Sequence, residues 1–464
     1  MARIGVIGTG VMGAALSLNM AEKGVAVAVH DLDAASIGRL IDRAGPLAEN
    51  LTAAETTEAL LAALPTPRAI LVMVPSGAVD AVIDGLAPQL APGDLIIDGG
   101  NSDFLDTRRR EAALSERGLN FFGMGVSGGE EGARHGPSLM IGGRQEAWGL
   151  VEDILTAIAA RHEGEPCAAW LGPDGAGHFV KTVHNGIEYA DMQMIAEIYG
   201  IMRDGARQSA AEIGAMFEGW RTGPLSSYLI EITGQILAAE DPETGRPAVD
   251  VIRDSAGQKG TGRWTVIEAL KLGQSASVIE AAVAARAWSS RAEARQAGAA
   301  LFAPAGGGAG APAVDELGRA LLAARIIGFG QGLTLMRSAS DAFDWDLDLA
   351  RAAEIWRAGC IIRSVLLDDI AGAARAGLPE GELTHAPAFS AMLEETIPSL
   401  RRVVLAALGQ GLPVPALAAA LGYHDTMRQA RGTANLIQAQ RDVFGAHGFD
   451  YIDGRADRHG PWGA

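Results

Sequence analysis

The run Arg3-Ile4-Gly5-Val6-Ile7-Gly8-Thr9-Gly10-Val11-Met12-Gly13 decides how the first third of the chain is read. Residues 3–7 have the apolar, β-branched character of a short strand, and the glycine turn after them opens an apolar-periodic helix ending near Gly24. Each glycine has a use at this spacing. Gly8 allows the tight turn, Gly10 lets backbone N–H groups approach a pyrophosphate, and Gly13 lets helix and strand pack closely. The helix N-terminus adds positive dipole potential at the phosphate. In a chain with 60 glycines among 464 residues, a cluster of turn glycines alone says little. Context adds weight: a second strand over 25–30 follows the helix and ends on an acid, Asp31. Thr9, Val11 and Met12 complete the candidate dinucleotide-binding turn.

Asp31 also speaks to which dinucleotide is bound. A carboxylate there accepts hydrogen bonds from the ribose hydroxyls of NAD, whereas NADP sets a phosphate dianion against it. Like charges about 4 Å apart cost a few kcal/mol at an effective dielectric near 20. Leu32 supplies no cation and Asp33 adds a second anion, so the expected cofactor is NAD, with NADP disfavoured. A solvated acidic turn is the alternative.

Outward from this turn, residues 1 to about 175 alternate short apolar runs with helical patterns, as in a parallel sheet built of βαβ units. Candidate strands are 3–7, 25–30, 69–74, 94–98 and 119–123. From about 176, Ala/Leu/Ile-rich stretches of 3.6-residue period replace the β-branched runs. The expected fold is α/β plus all-α: a doubly wound dinucleotide-binding (Rossmann) domain over 1–175, a large all-helical domain over 176–433, and an irregular, Gly-rich tail over 434–464. Residues 303–312 read as a Gly/Ala/Pro surface loop.

Lys plus Arg number 38 against 56 Asp plus Glu, a formal charge of −18 that argues against nucleic acid or an anionic membrane as partner. It does not exclude a small anion in a local pocket. Cys167 and Cys360 show no CxxC spacing, so they read as two buried thiols rather than a disulfide framework, and no metal site is expected. The first strand begins at residue 3 without a leader-like segment, and no run of 18 apolar residues occurs, so a cytoplasmic protein is expected.

Gly177-His178-Phe179-Val180-Lys181-Thr182-Val183-His184-Asn185-Gly186-Ile187-Glu188-Tyr189 carries the strongest chemical signal. On a helix, Lys181, His184, Asn185 and Glu188 share one face beside an apolar stripe of Val180, Val183, Ile187 and Met194. A solvated charged face and a catalytic face are both consistent with the spacing. Chemically, a lysine in a dry pocket takes a proton from a hydroxyl as hydride leaves and returns it to the carbonyl oxygen, and a glutamate two turns away serves as a second acid.

These residues, with Asp98-Gly99-Gly100-Asn101-Ser102, the run Gly125 to Arg134, the run Asp254 to Gly262 and the run Ala434 to Asp442, resemble the decarboxylating 6-phosphogluconate dehydrogenases over nearly the whole chain. The resemblance implies oxidation of C3 of 6-phosphogluconate, loss of CO₂ and tautomerisation to ribulose 5-phosphate, a step of the pentose phosphate pathway. It makes Lys181 the general base and then acid, and Glu188 the acid that protonates the enol. Asn101, Ser127, Gly128, Gly129, His184 and Asn185 would hold the sugar acid. Tyr189, Lys259, Thr261, Arg286, Arg441 and His447 would meet its phosphate. Met73, Val74, Pro75 and Asn101 join the cofactor set. The resemblance further implies a homodimer whose tail reaches into the partner's active site.

At 31–33 the chain departs from the NADP-using pattern Asn-Arg-Thr, and Ser36 stands where a lysine would follow. Its first turn reads Gly-Thr-Gly where many members have Gly-Leu-Ala. Two rivals remain. A shorter β-hydroxyacid dehydrogenase of the 3-hydroxyisobutyrate type would share the dinucleotide domain and the lysine. A non-catalytic dinucleotide sensor would not need both Lys181 and Glu188.

Overall fold

The computed structural model describes residues 1–258, 260–303 and 312–462. The expected loop at 303–312 and Lys259 therefore lie largely or wholly outside the described residues.

An eight-stranded sheet organises the first part of the chain. Its strands are β1 (Ile4–Ile7), β2 (Val27–His30), β3 (Leu51–Ala53), β4 (Ala69–Val72), β5 (Leu95–Asp98), β6 (Asn120–Ser127), β7 (Ser138–Gly143) and β8 (Ala168–Gly172). They lie in the order β8-β7-β6-β5-β4-β1-β2-β3. From β3 to β6 all neighbours are parallel; β7 runs antiparallel to β6, and β8 follows β7. The parallel strands are apolar without alternation because both faces are covered. Leu71 and Ile97 enter one core, while Ile70, Val72 and Ile96 enter another on the opposite face.

The chain winds from β1 outward to β3, then returns to β4 and winds the other way. Ile7 pairs with Val72 and Val72 with Asp98, so three strand ends meet where the winding reverses, the place at which open α/β sheets bind ligands. The expected strand at 119–123 continues to Ser127, because pairing with β7 extends the ladder from Phe122↔Gly143 to Ser127↔Ser138. That extension carries Ser127 to the ligand edge.

The helices used below are α1 (Val11–Glu22), α2 (Ala34–Ala44), α3 (Val79–Leu86), α4 (Phe104–Ser115), α5 (Ala176–Gly200), α6 (Thr261–Lys271), α7 (Ser277–Ser289), α8 (Val314–Phe343), α9 (Pro387–Gly409), α10 (Pro415–Met427) and α11 (Ala434–Gly445). The chain past β8 is helical, as the periodicity predicts. Central α5 and α8 are buried along most of their length. Gly332 permits this contact, since a β-carbon there would lie 2.6 Å from Ile187 Cδ1. Buried Arg325 Nη2 on α8 pairs with Asp191 Oδ2 on α5 at 2.9 Å.

The tail differs from the expected irregular segment: its first twelve residues form α11. Its later residues fold back onto that helix. Asp442 accepts hydrogen bonds from the backbones of Gly448 and Gly460 and from Trp462 Nε1, and its Oδ1 lies 2.6 Å from His459 Nδ1. These contacts close only in three dimensions and leave no periodic trace. Among the described residues no helix is long and apolar enough to cross a membrane.

Candidate active site

The glycine turn stands at the meeting point of the strands. Gly8 has φ +96°, and a β-carbon on it would lie 2.5 Å from the Met73 carbonyl oxygen; one on Gly13 would overlap the Gly8 carbonyl. Met73 N–H in turn donates to Ile7 O at 2.8 Å, which sets the Met73-Val74-Pro75 loop against the turn. Space opens beside Gly10, where a β-carbon would meet nothing within 4 Å. No side chain caps α1 and its first turn holds no acid, so its N-terminal N–H groups suit a phosphate. The residues present fit a dinucleotide.

Asp31 ends β2 beside this turn. Its Oδ2 accepts Thr9 N–H at 2.6 Å and lies 3.2 Å from Thr9 Oγ1, and its Oδ1 accepts Asp33 N–H at 2.9 Å. Partial burial raises its pKa, but the Asp33 and Thr9 donors outweigh burial and hold it below the usual value. Leu32 is almost fully exposed. Asp33 caps α2 and pairs with Arg39 Nη2 at 3.0 Å. Leu32 supplies no cation, as expected; the cation paired with Asp33 is Arg39, a turn and a half into α2.

The face Lys181–Glu188 on α5 is buried, not solvated. Glycines bring it onto the sheet: a β-carbon on Gly125 of β6 would lie 2.9 Å from Lys181 Cγ and closer still to its Cβ. Lys181 is only 6% exposed, and among the described residues its ammonium makes no hydrogen bond or ion pair. Burial lowers its pKa, with Glu188 and then Cys360 pulling the other way. Glu188 is half-buried, and burial raises its carboxyl against Lys181 and Arg286. Buried His184 sits with Nε2 3.2 Å from Ser127 Oγ and Nδ1 3.2 Å from Asn185 Oδ1. Burial and then the Lys181 charge push its pKa well down, so its 3.8 Å approach to Glu188 Oε2 joins a neutral imidazole to an acid. A proton on Nδ1 satisfies both neighbours, with Ser127 donating to Nε2.

Ser127 ends β6, and Gly128 and Gly129 follow with φ +105° and +64°. A β-carbon on Gly128 would lie 2.6 Å from Gly359 O, so this turn rests against the segment carrying Cys360. Cys360 is buried and its thiol is pushed up to about 12, chiefly by burial. Its place beside Lys181 has no sequence signal, because 179 residues separate the two.

Beyond Glu188, Tyr189 is covered by Arg286 of α7, whose guanidinium lies 3.5 Å from the ring centroid. Gly262 lets α6 press on the same ring, since a β-carbon there would lie 2.5 Å from Tyr189 Cδ2. Tyr189, Thr261 and Arg286 thus gather at one end of the Lys181–Glu188 face. Asn101 is exposed on the loop after β5. Arg441 and His447 are exposed on the tail; among the described residues no hydrogen bond links residues 434–462 to anything before Thr433. Among the described residues neither makes a hydrogen bond, ion pair or ring contact with Tyr189, Thr261 or Arg286.

Two family models divide the chain: the "NAD binding domain of 6-phosphogluconate dehydrogenase" matches residues 3–172, and "6-phosphogluconate dehydrogenase, C-terminal domain" matches 177–462. The chain belongs to the 6-phosphogluconate dehydrogenase family. With it comes membership of the NAD(P)-dependent oxidoreductases. A decarboxylating 6-phosphogluconate dehydrogenase of Escherichia coli is 45% identical over 465 residues, 99% of each chain. A Bacillus subtilis relative, described as NADP(+)-dependent and decarboxylating, is 43% identical over 468 residues, again 99% of each. Among solved structures, the 6-phosphogluconate dehydrogenase of Plasmodium falciparum, described in apo form and with NADP+ or 6-phosphogluconate, superposes with a TM-score of 0.95. It is 38% identical and covers 99% of this chain and 100% of its own.

Proposed function

We propose that this chain oxidises and decarboxylates 6-phosphogluconate to ribulose 5-phosphate and CO₂, with NAD favoured over NADP. The observation that carries the reading is one helix face that holds a buried Lys181, without a hydrogen bond or ion pair among the described residues, and a half-buried Glu188 next to the Tyr189–Thr261–Arg286 cluster.

A bound nicotinamide supplies the hydride acceptor. Lys181, whose pKa burial lowers, removes the C3 hydroxyl proton as the C3 hydride departs. The C1–C2 bond then breaks, its electron pair forms the C2=C3 double bond, and Lys181 returns the proton to the C3 oxygen as CO₂ leaves. Glu188, whose carboxyl pKa burial raises, donates a proton to the carbon that lost CO₂ while Lys181 takes back the proton on the C3 oxygen, which leaves ribulose 5-phosphate. Asn101, Ser127, Gly128, Gly129, His184 and Asn185 orient the sugar acid. Tyr189, Thr261 and Arg286, with Lys259, receive its phosphate.

NAD preference rests on Asp31, held ionised by Thr9 and Asp33, and on exposed Leu32. The Bacillus subtilis relative's NADP dependence makes this a departure within the family. Arg441 and His447 complete the phosphate site from a second copy, in a homodimer. The tail's separation from its own chain's cluster and the exposed Leu436, Ile437, Val443 and Phe444 on α11 support that arrangement. A shorter β-hydroxyacid dehydrogenase is not favoured, since the family models account for nearly every residue.

The test follows 6-phosphogluconate-dependent reduction of NAD and of NADP with CO₂ release in parallel. Turnover with a higher kcat/KM for NAD is expected. No turnover refutes the reaction, and a preference for NADP refutes the cofactor reading alone.

A further inference from the structure

Helix α4 lies under the Asn101 loop, and none of its residues belongs to the machinery above. Two of its buried side chains, Thr107 and Arg110, sit three residues apart and make polar contacts with different parts of the site. Arg110 Nη1 donates to Asp98 Oδ2 at 3.2 Å, while Arg110 Nε and Nη2 grip Asp80 of α3 at 2.8 and 3.1 Å. Asp98 is the anchor of the loop: its Oδ1 accepts Gly100 N–H at 3.0 Å and its Oδ2 accepts Ser102 Oγ–H at 2.6 Å, so both neighbours of Asn101 are tied to one carboxylate. The other contact runs to the catalytic helix. Thr107 Oγ1 lies 2.7 Å from Nδ1 of His178, a buried residue on α5 three positions before Lys181. Gly123 makes room for this pair, because a β-carbon there would lie 2.6 Å from Thr107 Cγ2 and 2.7 Å from His178 Nδ1. The Thr107 hydroxyl also donates to the Asp103 carbonyl at 3.1 Å, which leaves its oxygen to accept from His178 Nδ1–H. A neutral ring suits this role, and burial lowers the His178 pKa.

We propose that Thr107, Arg110 and His178 are positioning residues: α4 clamps the Asp98–Ser102 turn with Arg110 and the first turns of α5 with Thr107 and His178, so that Asn101 and Lys181 keep one separation. The inference rests on the proposed reaction, in which Asn101 touches sugar acid and cofactor while Lys181 moves the proton. Removing a hydroxyl that touches neither ligand should then slow the chemistry while leaving substrate KM nearly unchanged.

The test compares the intact enzyme with Thr107→Val, Thr107→Ser, His178→Gln, and the double variant of Thr107→Val with His178→Gln. Thr107→Val should lower kcat roughly tenfold to a hundredfold, the scale of a sub-ångström to 1 Å misplacement of reacting groups. Thr107→Ser should restore it, and the double variant should be no slower than the slower single, since both break one contact. A wild-type kcat in Thr107→Val, a Thr107→Ser variant as slow as Thr107→Val, or losses that multiply would overturn the proposal. If Thr107→Val does not fold, Arg110→Lys carries the test: it keeps the charge but loses the fork to Asp98 and Asp80, and an unchanged kcat refutes the clamp. Amide exchange at Gly100–Ser102, expected to quicken in Arg110→Lys, reads the clamp without substrate. Quickened exchange in Arg110→Lys, together with a wild type that does not turn over 6-phosphogluconate, would count against the proposed reaction and not against the clamp.

Discussion

Replacing Gly125 by alanine should slow turnover by moving Lys181, without removing any chemical group from the site. Gly125 faces α5 from β6, and the added methyl would lie 2.9 Å from Lys181 Cγ. Ordinary van der Waals contact begins at 3.4 Å, so Cγ must retreat by 3.4 − 2.9 = 0.5 Å and Cβ by more. The opposing wall cannot give way easily, because β6 is paired on both edges, with β5 and β7. Overpacking of this kind costs about 1–3 kcal/mol of stability. Misplacing a reacting group by about 1 Å costs roughly a hundredfold in rate, so kcat should fall about tenfold to a hundredfold. Steady-state kinetics would measure kcat and both KM values, and circular dichroism would confirm that the protein is folded. Gly149→Ala serves as control, since its β-carbon meets nothing within 4 Å. A folded Gly125→Ala enzyme with wild-type kcat would refute the claim that contact with β6 sets the position of Lys181.

Glu197 on α5 accepts the Ala416 and Leu417 N–H groups at the start of α10, at 2.8 and 2.9 Å, and burial raises its pKa to about 7. A folded-state pKa above the unfolded value of 4.5 contributes stability that is full below 4.5 and lost as pH rises through 7. Melting curves from pH 5 to 8 should therefore show wild type losing ground to Glu197→Gln, by at most about 3 kcal/mol, and parallel curves would contradict this. Arg325→Met leaves the buried Asp191 carboxylate without its cation and should cost about 3–5 kcal/mol by denaturant unfolding. Adding Asp191→Leu should recover much of that loss; a double variant no more stable than the single would show that the charge is not the cause. Changing Asp31→Asn together with Leu32→Arg removes the anion at the end of β2 and adds a cation. The ratio of kcat/KM for NADP to that for NAD should rise by about tenfold or more, and an unchanged ratio would remove these residues as the cofactor determinant.

Local pattern made the first half of the site legible. The glycine spacing after residues 3–7, the acid at the end of the second strand and the polar face of 181–188 each lie within one element or one turn, where period and turn chemistry are written in adjacent residues. Those features were enough to place a dinucleotide turn on a parallel sheet and to leave a catalytic helix open as a possibility. Whether that face was wet or dry could not be read from spacing, since a surface helix and a buried one share the same period. Burial was decided by glycines on another element, Gly123 and Gly125 of β6, which let α5 lie on the sheet.

Contacts between distant parts of the chain were decided only by the tertiary structure. Arg286 over Tyr189, Cys360 beside Lys181 and Thr107 against His178 join residues 71 to 179 positions apart, and no local period records such pairings. The Arg39–Asp33 pair shows the same dependence at a smaller scale, since the reach of Arg39 back to Asp33 depends on the helix that Asp33 caps. The tail shows both sides at once. Its composition marked it as set apart from the helical domain, but α11 and the fold around Asp442 depend on backbone and side-chain hydrogen bonds from Gly448, His459, Gly460 and Trp462, six to twenty residues away. Sequence determines what each segment can form by itself. Which segments then meet depends on packing, because a close contact requires both surfaces to fit.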